Sequence, residues 1–102
     1  MQEINETGFD SSIKGSSAIV EFFTDWCAVC KTMEPALQGM SKIYGNDVKF
    51  LKINAGKNIN LAQKFAVMSV PTFLFIKDGR VIDQVVGFMN QMQLKEKLNR
   101  IS

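Results

Sequence analysis

Ala18-Ile19-Val20-Glu21-Phe22-Phe23-Thr24-Asp25-Trp26-Cys27-Ala28-Val29-Cys30 is the stretch that decides the fold. Residues 18–23 are apolar on both alternations, as a strand covered on both faces requires, and Glu21 is the one anomaly. From Cys30 onward Met33, Leu37, Met40 and Tyr44 recur every three or four residues, with Ala36 and Ile43 widening the stripe and Gly45 as a C-terminal stop. An amphipathic helix therefore follows the strand. Pro35 falls inside it and removes a hydrogen bond to the Lys31 carbonyl, so a kink is expected one turn in.

Working outward, Phe9 and Ile13 stand at helical spacing in Thr7 to Lys14, behind Thr7 as a cap and ahead of Gly15 as a stop. On the other side, Val48 to Asn54 is strand-like. Asn58 to Val67 then places Ile59, Ala62, Phe65 and Ala66 on one helical face. Thr72 to Ile76 and Val81 to Val86 flank Lys77-Asp78-Gly79-Arg80, whose Asp-Gly pair suits a tight antiparallel hairpin. Asn90 can cap a last helix with Gln93 in the capping-box position, and Leu94, Leu98 and Ile101 supply its buried face. The alternation predicts an α/β chain, with a central mixed sheet of four to five strands flanked by about four helices on both faces. With 102 residues, 46% of them hydrophobic, and no repeat or linker, residues 1–102 read as a single domain.

The formal net charge is +2, from 12 basic and 10 acidic residues spread along the whole length. No Lys/Arg stripe suited to a phosphate backbone is present, which argues against nucleic acid as a partner. No apolar run is long enough to cross a membrane, and Met1 to Asp10 carries Glu3, Glu6 and Asp10 rather than a secretory core. The expectation is a soluble cytoplasmic protein. In that reducing compartment two cysteines three positions apart call for a chemical explanation.

Cys27-Ala28-Val29-Cys30 follows a strand and opens a helix, so both sulfurs can share the first helical turn and form a disulfide. The unsatisfied N–H groups and positive dipole end there favour the thiolate, which makes Cys27 the nucleophile by position. Cys30, one turn deeper and more buried, is assigned the resolving role: it attacks the mixed disulfide formed at Cys27. Zinc ribbons and inert disulfides use the same spacing. A zinc site wants four ligands, however, and this chain has two cysteines and no histidine, so zinc would have to bridge two molecules or recruit carboxylates. No metal and no cofactor is predicted.

Trp26-Cys27-Ala28-Val29-Cys30, with Pro35 downstream, the Val70-Pro71-Thr72 step before a strand and Gly87 after the next, resembles the thioredoxin family over essentially the full length. The resemblance implies the thioredoxin fold and reduction of protein disulfides, with disulfide-containing proteins as substrates and a thioredoxin reductase as electron donor. It also implies that Pro71 is cis and packs against the active-site disulfide, and that Val70 offers main-chain groups to the substrate. Trp26, Val70, Pro71 and Gly87 would then form the substrate-binding surface around Cys27. Glu21 falls where the family commonly has a buried aspartate beneath the second cysteine. A carboxyl group there should have a raised pKa and accept the Cys30 proton.

Ala28-Val29 departs from the Gly-Pro most typical of thioredoxins. Residues between the cysteines help set the potential, which spans roughly −270 to −120 mV across related oxidoreductases, and the reducing end is expected here. Two other readings stand beside the general reductase: a specialised redox partner of one reductase or target, and a non-redox binding module on the same fold. Asp25, Lys31, Lys57 and Met89 are candidate surface contacts, whereas Met33 and Met40 belong in the core. Every apolar face finds a partner within the chain, so a monomer is expected.

Overall fold

The computed structural model describes residues 1–102. In chain order its elements are β1 (Gln2–Glu3), a 3-10 turn (Glu6–Gly8), α1 (Phe9–Ile13), β2 (Ala18–Phe23), α2 (Ala28–Tyr44), β3 (Lys49–Asn54), α3 (Ile59–Lys64), β4 (Thr72–Lys77), β5 (Arg80–Val86) and α4 (Gln91–Ile101). The strands form one five-stranded mixed sheet in the order β1-β3-β2-β4-β5. β1 and β2 pair parallel with β3, and β4 runs antiparallel to both β2 and β5. The apolar run at 18–23 sits in the middle, where only a strand with no polar face can lie.

Successive side chains of a strand point to opposite faces, and two cores follow from that alternation. Ile19, Phe50, Phe73 and Phe75 pack against Met33, Leu37 and Met40 of α2 and Leu94, Leu98 and Ile101 of α4. On the other face Val20, Phe22, Leu51, Ile53, Leu74 and Ile76 pack against Phe9 and Ile13 of α1 and Leu61 and Ala62 of α3. Glu21 shares the parity of Ile19 and so points toward the α2 face. Asp78 and Gly79 take φ values of 51° and 80°, the two positive angles a two-residue hairpin demands, and join β4 to β5. The capping box of α4 is present, with Asn90 and Gln93 exchanging side-chain-to-backbone bonds of 2.8 and 2.9 Å.

Several elements differ from the sequence reading. Asn5, not Thr7, caps the opening turn: its Oδ1 accepts from the Gly8 N–H at 2.9 Å and from the Thr7 hydroxyl at 2.7 Å. α3 ends at Lys64, because Ala66 turns to φ 52°. Its buried side chains are Leu61 and Ala62, a face that leaves Ile59 exposed. Ile43 lies outside the α2 stripe and is exposed, while Met89 is core rather than surface contact. α2 carries Pro35 inside it, where the sequence reading placed it. β1, two residues long, had no periodicity to announce it.

Candidate active site

Phe22 of β2 lies opposite Thr72 of β4, and Thr72 lies opposite Val86 of β5. The register therefore brings the end of β2, the start of β4 and the end of β5 together at one end of the strands. The Thr24–Cys27 loop, the Val70-Pro71 step and Gly87 all emerge there. The Val70–Pro71 peptide is cis. Gly87 donates its N–H to the Pro71 carbonyl at 2.8 Å and does so at φ 91°, a conformation that favours glycine. The Thr72 hydroxyl donates to the Ser69 carbonyl at 2.7 Å. Both ends of the proline segment are thus tied down.

Cys27 and Cys30 form a disulfide, with Cα atoms 5.3 Å apart. Cys27 is the N-cap of α2, and its Sγ accepts the Cys30 N–H at 3.1 Å. The sulfur occupies the place a serine or aspartate oxygen usually takes, where unpaired N–H groups favour negative charge. The two cysteines are 8% and 5% exposed, so the expected difference in depth is slight at the level of whole residues. Trp26, immediately before them, is 91% exposed. Val70 is half-buried. Exposed Phe88 directly follows Gly87 and exposed Met68 stands two residues before Val70. The methionine content points to Met68 as a surface residue, but nothing in the sequence pattern singles out Phe88.

Behind Cys30 lies a cleft of about 270 Å³ lined by Glu21, Asp25, Lys31, Glu34 and Lys52 among others. Glu21 is 3% exposed, and its Oε2 has no hydrogen-bond partner. Burial pushes its carboxyl pKa from 4.5 up to about 7; Lys52 opposes the rise and Glu34 adds to it. Lys52 is the register partner of Glu21 on β3 and places its ammonium 5.1 Å from the centre of the Phe23 ring. Glu21 thus lies where the sequence reading put it, in a doubly covered strand and facing the cleft that Cys30 also lines.

The sequence reading missed the polar cluster that supports the Cys27 loop. Asn54, buried at the end of β3, donates to the Asp25 carboxylate at 3.3 Å and accepts from the Gly56 N–H at 3.0 Å. Asn58, also buried, donates to the Asn54 carbonyl at 2.9 Å and accepts the Glu6 N–H at 2.8 Å. An asparagine directly after Ile53, closing the strand, was the available signal.

A disulfide closed across the first turn of a helix, beside an N-terminus that supports a thiolate, is the arrangement of a protein thiol–disulfide oxidoreductase. Comparison with known proteins gives the same class. The chain belongs to the thioredoxin family, whose model, described as Thioredoxin, matches residues 1–100. It is 35% identical over 98 residues to a thioredoxin of Staphylococcus haemolyticus, covering 96% of this chain and 94% of that one. A Staphylococcus aureus thioredoxin is 34% identical over the same shares. Among solved structures, Fasciola hepatica thioredoxin superposes with a TM-score of 0.85 at 30% identity, covering 100% of both chains. A chain from a study of thiol resolution in yeast mitochondrial 1-Cys peroxiredoxin via glutathione/thioredoxin systems gives a TM-score of 0.88 at 28% identity, covering 98% of this chain and 94% of that one.

Proposed function

We propose that Cys27 is the nucleophile, Cys30 the resolving cysteine and Glu21 the proton acceptor in the reduction of protein disulfides. The Cys27 thiolate attacks one sulfur of the substrate disulfide, forming a mixed disulfide and releasing the other sulfur as a thiolate. Cys30 then attacks the Cys27 sulfur and its proton passes to the Glu21 carboxylate. The Cys27–Cys30 bond forms, the bond from Cys27 to substrate breaks, and the second substrate sulfur leaves with the electron pair. Two electrons have moved to the substrate. The observation that carries the reading is the Cys27 sulfur capping α2, where the helix N-terminus supports a thiolate.

Trp26, Val70, Pro71 and Gly87 form the substrate surface in this proposal, with the Val70 main chain pairing with an extended substrate segment. A thioredoxin reductase returns the electrons, and the chain works as a monomeric, cytoplasmic electron carrier in cell redox homeostasis. No helix is long and apolar enough to cross a membrane. Ala28-Val29 leaves no imidazolium between the cysteines to stabilise the thiolate further, which favours the reducing end of the family's range.

Insulin reduction driven by dithiothreitol, followed as turbidity of the released chain, tests the assignment. Wild type is expected to be active and Cys27→Ser inactive, while Cys30→Ser accumulates a mixed disulfide at Cys27. Loss of activity in both wild type and Cys27→Ser removes general disulfide reduction and leaves a dedicated partner as the reading.

A further inference from the structure

Cys30, Glu34 and Gln38 follow at four-residue spacing on α2 and line the same cleft as Glu21. Glu34 is exposed and takes part in neither of the molecule's two ion pairs, Lys97–Asp83 and Arg100–Glu96. Its charge is therefore not neutralised by a partner. Glu21, by contrast, is buried with an unpartnered Oε2. The ionisable groups around it are Lys52 from β3, Lys31 and Glu34 from α2, Asp25 from the loop after β2, and Met1 with its amino group ahead of β1. Of these, Lys52 and Glu34 act on the Glu21 carboxyl perceptibly and in opposite senses.

We propose that Glu34 is a positioning residue for the proton step: its carboxylate, one helical turn beyond Cys30 and lining the same cleft as Glu21, opposes the Lys52 ammonium there as the Cys30 proton passes to Glu21. The proposal rests on the reading of Glu21 as proton acceptor. An acceptor works best when its pKa lies near the working pH, so that it is both ionised often enough and basic enough. Burial raises the Glu21 carboxyl most, Lys52 pulls it back toward a more ionised and weaker base, and Glu34 opposes Lys52. A negative charge on the opposing helix restores the balance without entering the buried site. Because Glu34 stands in water, its effect on Glu21 is screened by salt.

The test uses the oxidised protein with ¹³C-labelled glutamate, following the Glu21 carboxyl carbon by NMR from pH 5 to 9. Glu34→Gln is expected to lower the midpoint by roughly half a pH unit, the scale of one screened charge, and Glu34→Lys to lower it further. High salt should shrink both differences. In single-turnover reduction of a disulfide substrate, the pH profile of mixed-disulfide resolution should move down in the same order, and Glu21→Gln should flatten it. Glu34 variants whose midpoints superimpose on wild type, alongside a flat Glu21→Gln profile, overturn the role of Glu34 alone. A Glu21→Gln profile that keeps its neutral step overturns proton acceptance by Glu21, and the kinetic role of Glu34 falls with it even if the NMR midpoints move.

Discussion

Replacing Glu21 with leucine should stabilise the oxidised protein in alkaline solution and do much less in acid. The folded carboxyl has its pKa raised from 4.5 to about 7, so the native state holds a proton more tightly than the unfolded chain does. Stability contributed by that proton is fully present below pH 4.5 and is lost as pH rises through 7. At 1.36 kcal/mol per pH unit, the loss between the two limits is about 3 kcal/mol. Leucine removes the titration. The stability of Glu21→Leu relative to wild type should therefore grow by about 3 kcal/mol between pH 4 and pH 8.5. Lys52, left without its register partner, is half-buried and keeps access to water, so its own cost is small. With a urea slope of about 1 to 3 kcal/mol/M, the gain appears as roughly 1 to 3 M in unfolding midpoint. Urea titrations of both oxidised proteins at the two pH values decide the matter. A difference that stays constant with pH would refute the reasoning, because it would mean that Glu21 ionises in the folded state as readily as in the unfolded one.

Two further outcomes follow from the backbone and the polar cluster. Ala66 holds φ 52° at an exposed position after α3, so Ala66→Gly should raise stability by about 1 kcal/mol in a denaturant melt. Asn54→Ala leaves the Gly56 N–H without its acceptor and Asp25 without its donor. It should cost about 1–3 kcal/mol by urea melt, with insulin reduction slowed as the Cys27 loop loosens.

Where apolar periodicity was unbroken, the sequence was an accurate guide. β2, α2 and α4 lie close to where the spacing of Ile19, Leu37 and Leu94 put them, and the Asp78-Gly79 hairpin followed from backbone sterics at two residues. Glu21 stood out as a charge in a doubly covered strand, and the structure places it there. The failures share a cause. Asn5, Ile59 and Ala66 depend on which hydrogen bonds and neighbours the folded chain offers, and a short helix such as α3 has too few turns for periodicity to fix its buried face. β1 exists because β3 presents an edge to it, a tertiary fact invisible in Gln2-Glu3. Within the site, the cysteines were legible from their spacing, and Pro71 from the resemblance to the thioredoxin family. Lys52, Glu34 and Asn54 were not, since their parts arise only when β3 and α2 are laid against β2.

Under the proposed function, the sulfur that caps α2 bears on how other proteins tell its two redox states apart. In the disulfide form Cys27 already satisfies the Cys30 amide through its Sγ. On reduction the same atom can take up a negative charge and keep the same amide, more strongly, because an ionised acceptor makes the better bond. In the proposed cycle that one contact can serve the helix end in both states. At this cap the two states of the proposed cycle differ by a charge on the Cys27 sulfur. Under the proposed function, a disulfide substrate and a reductase can tell the two states apart by that charge.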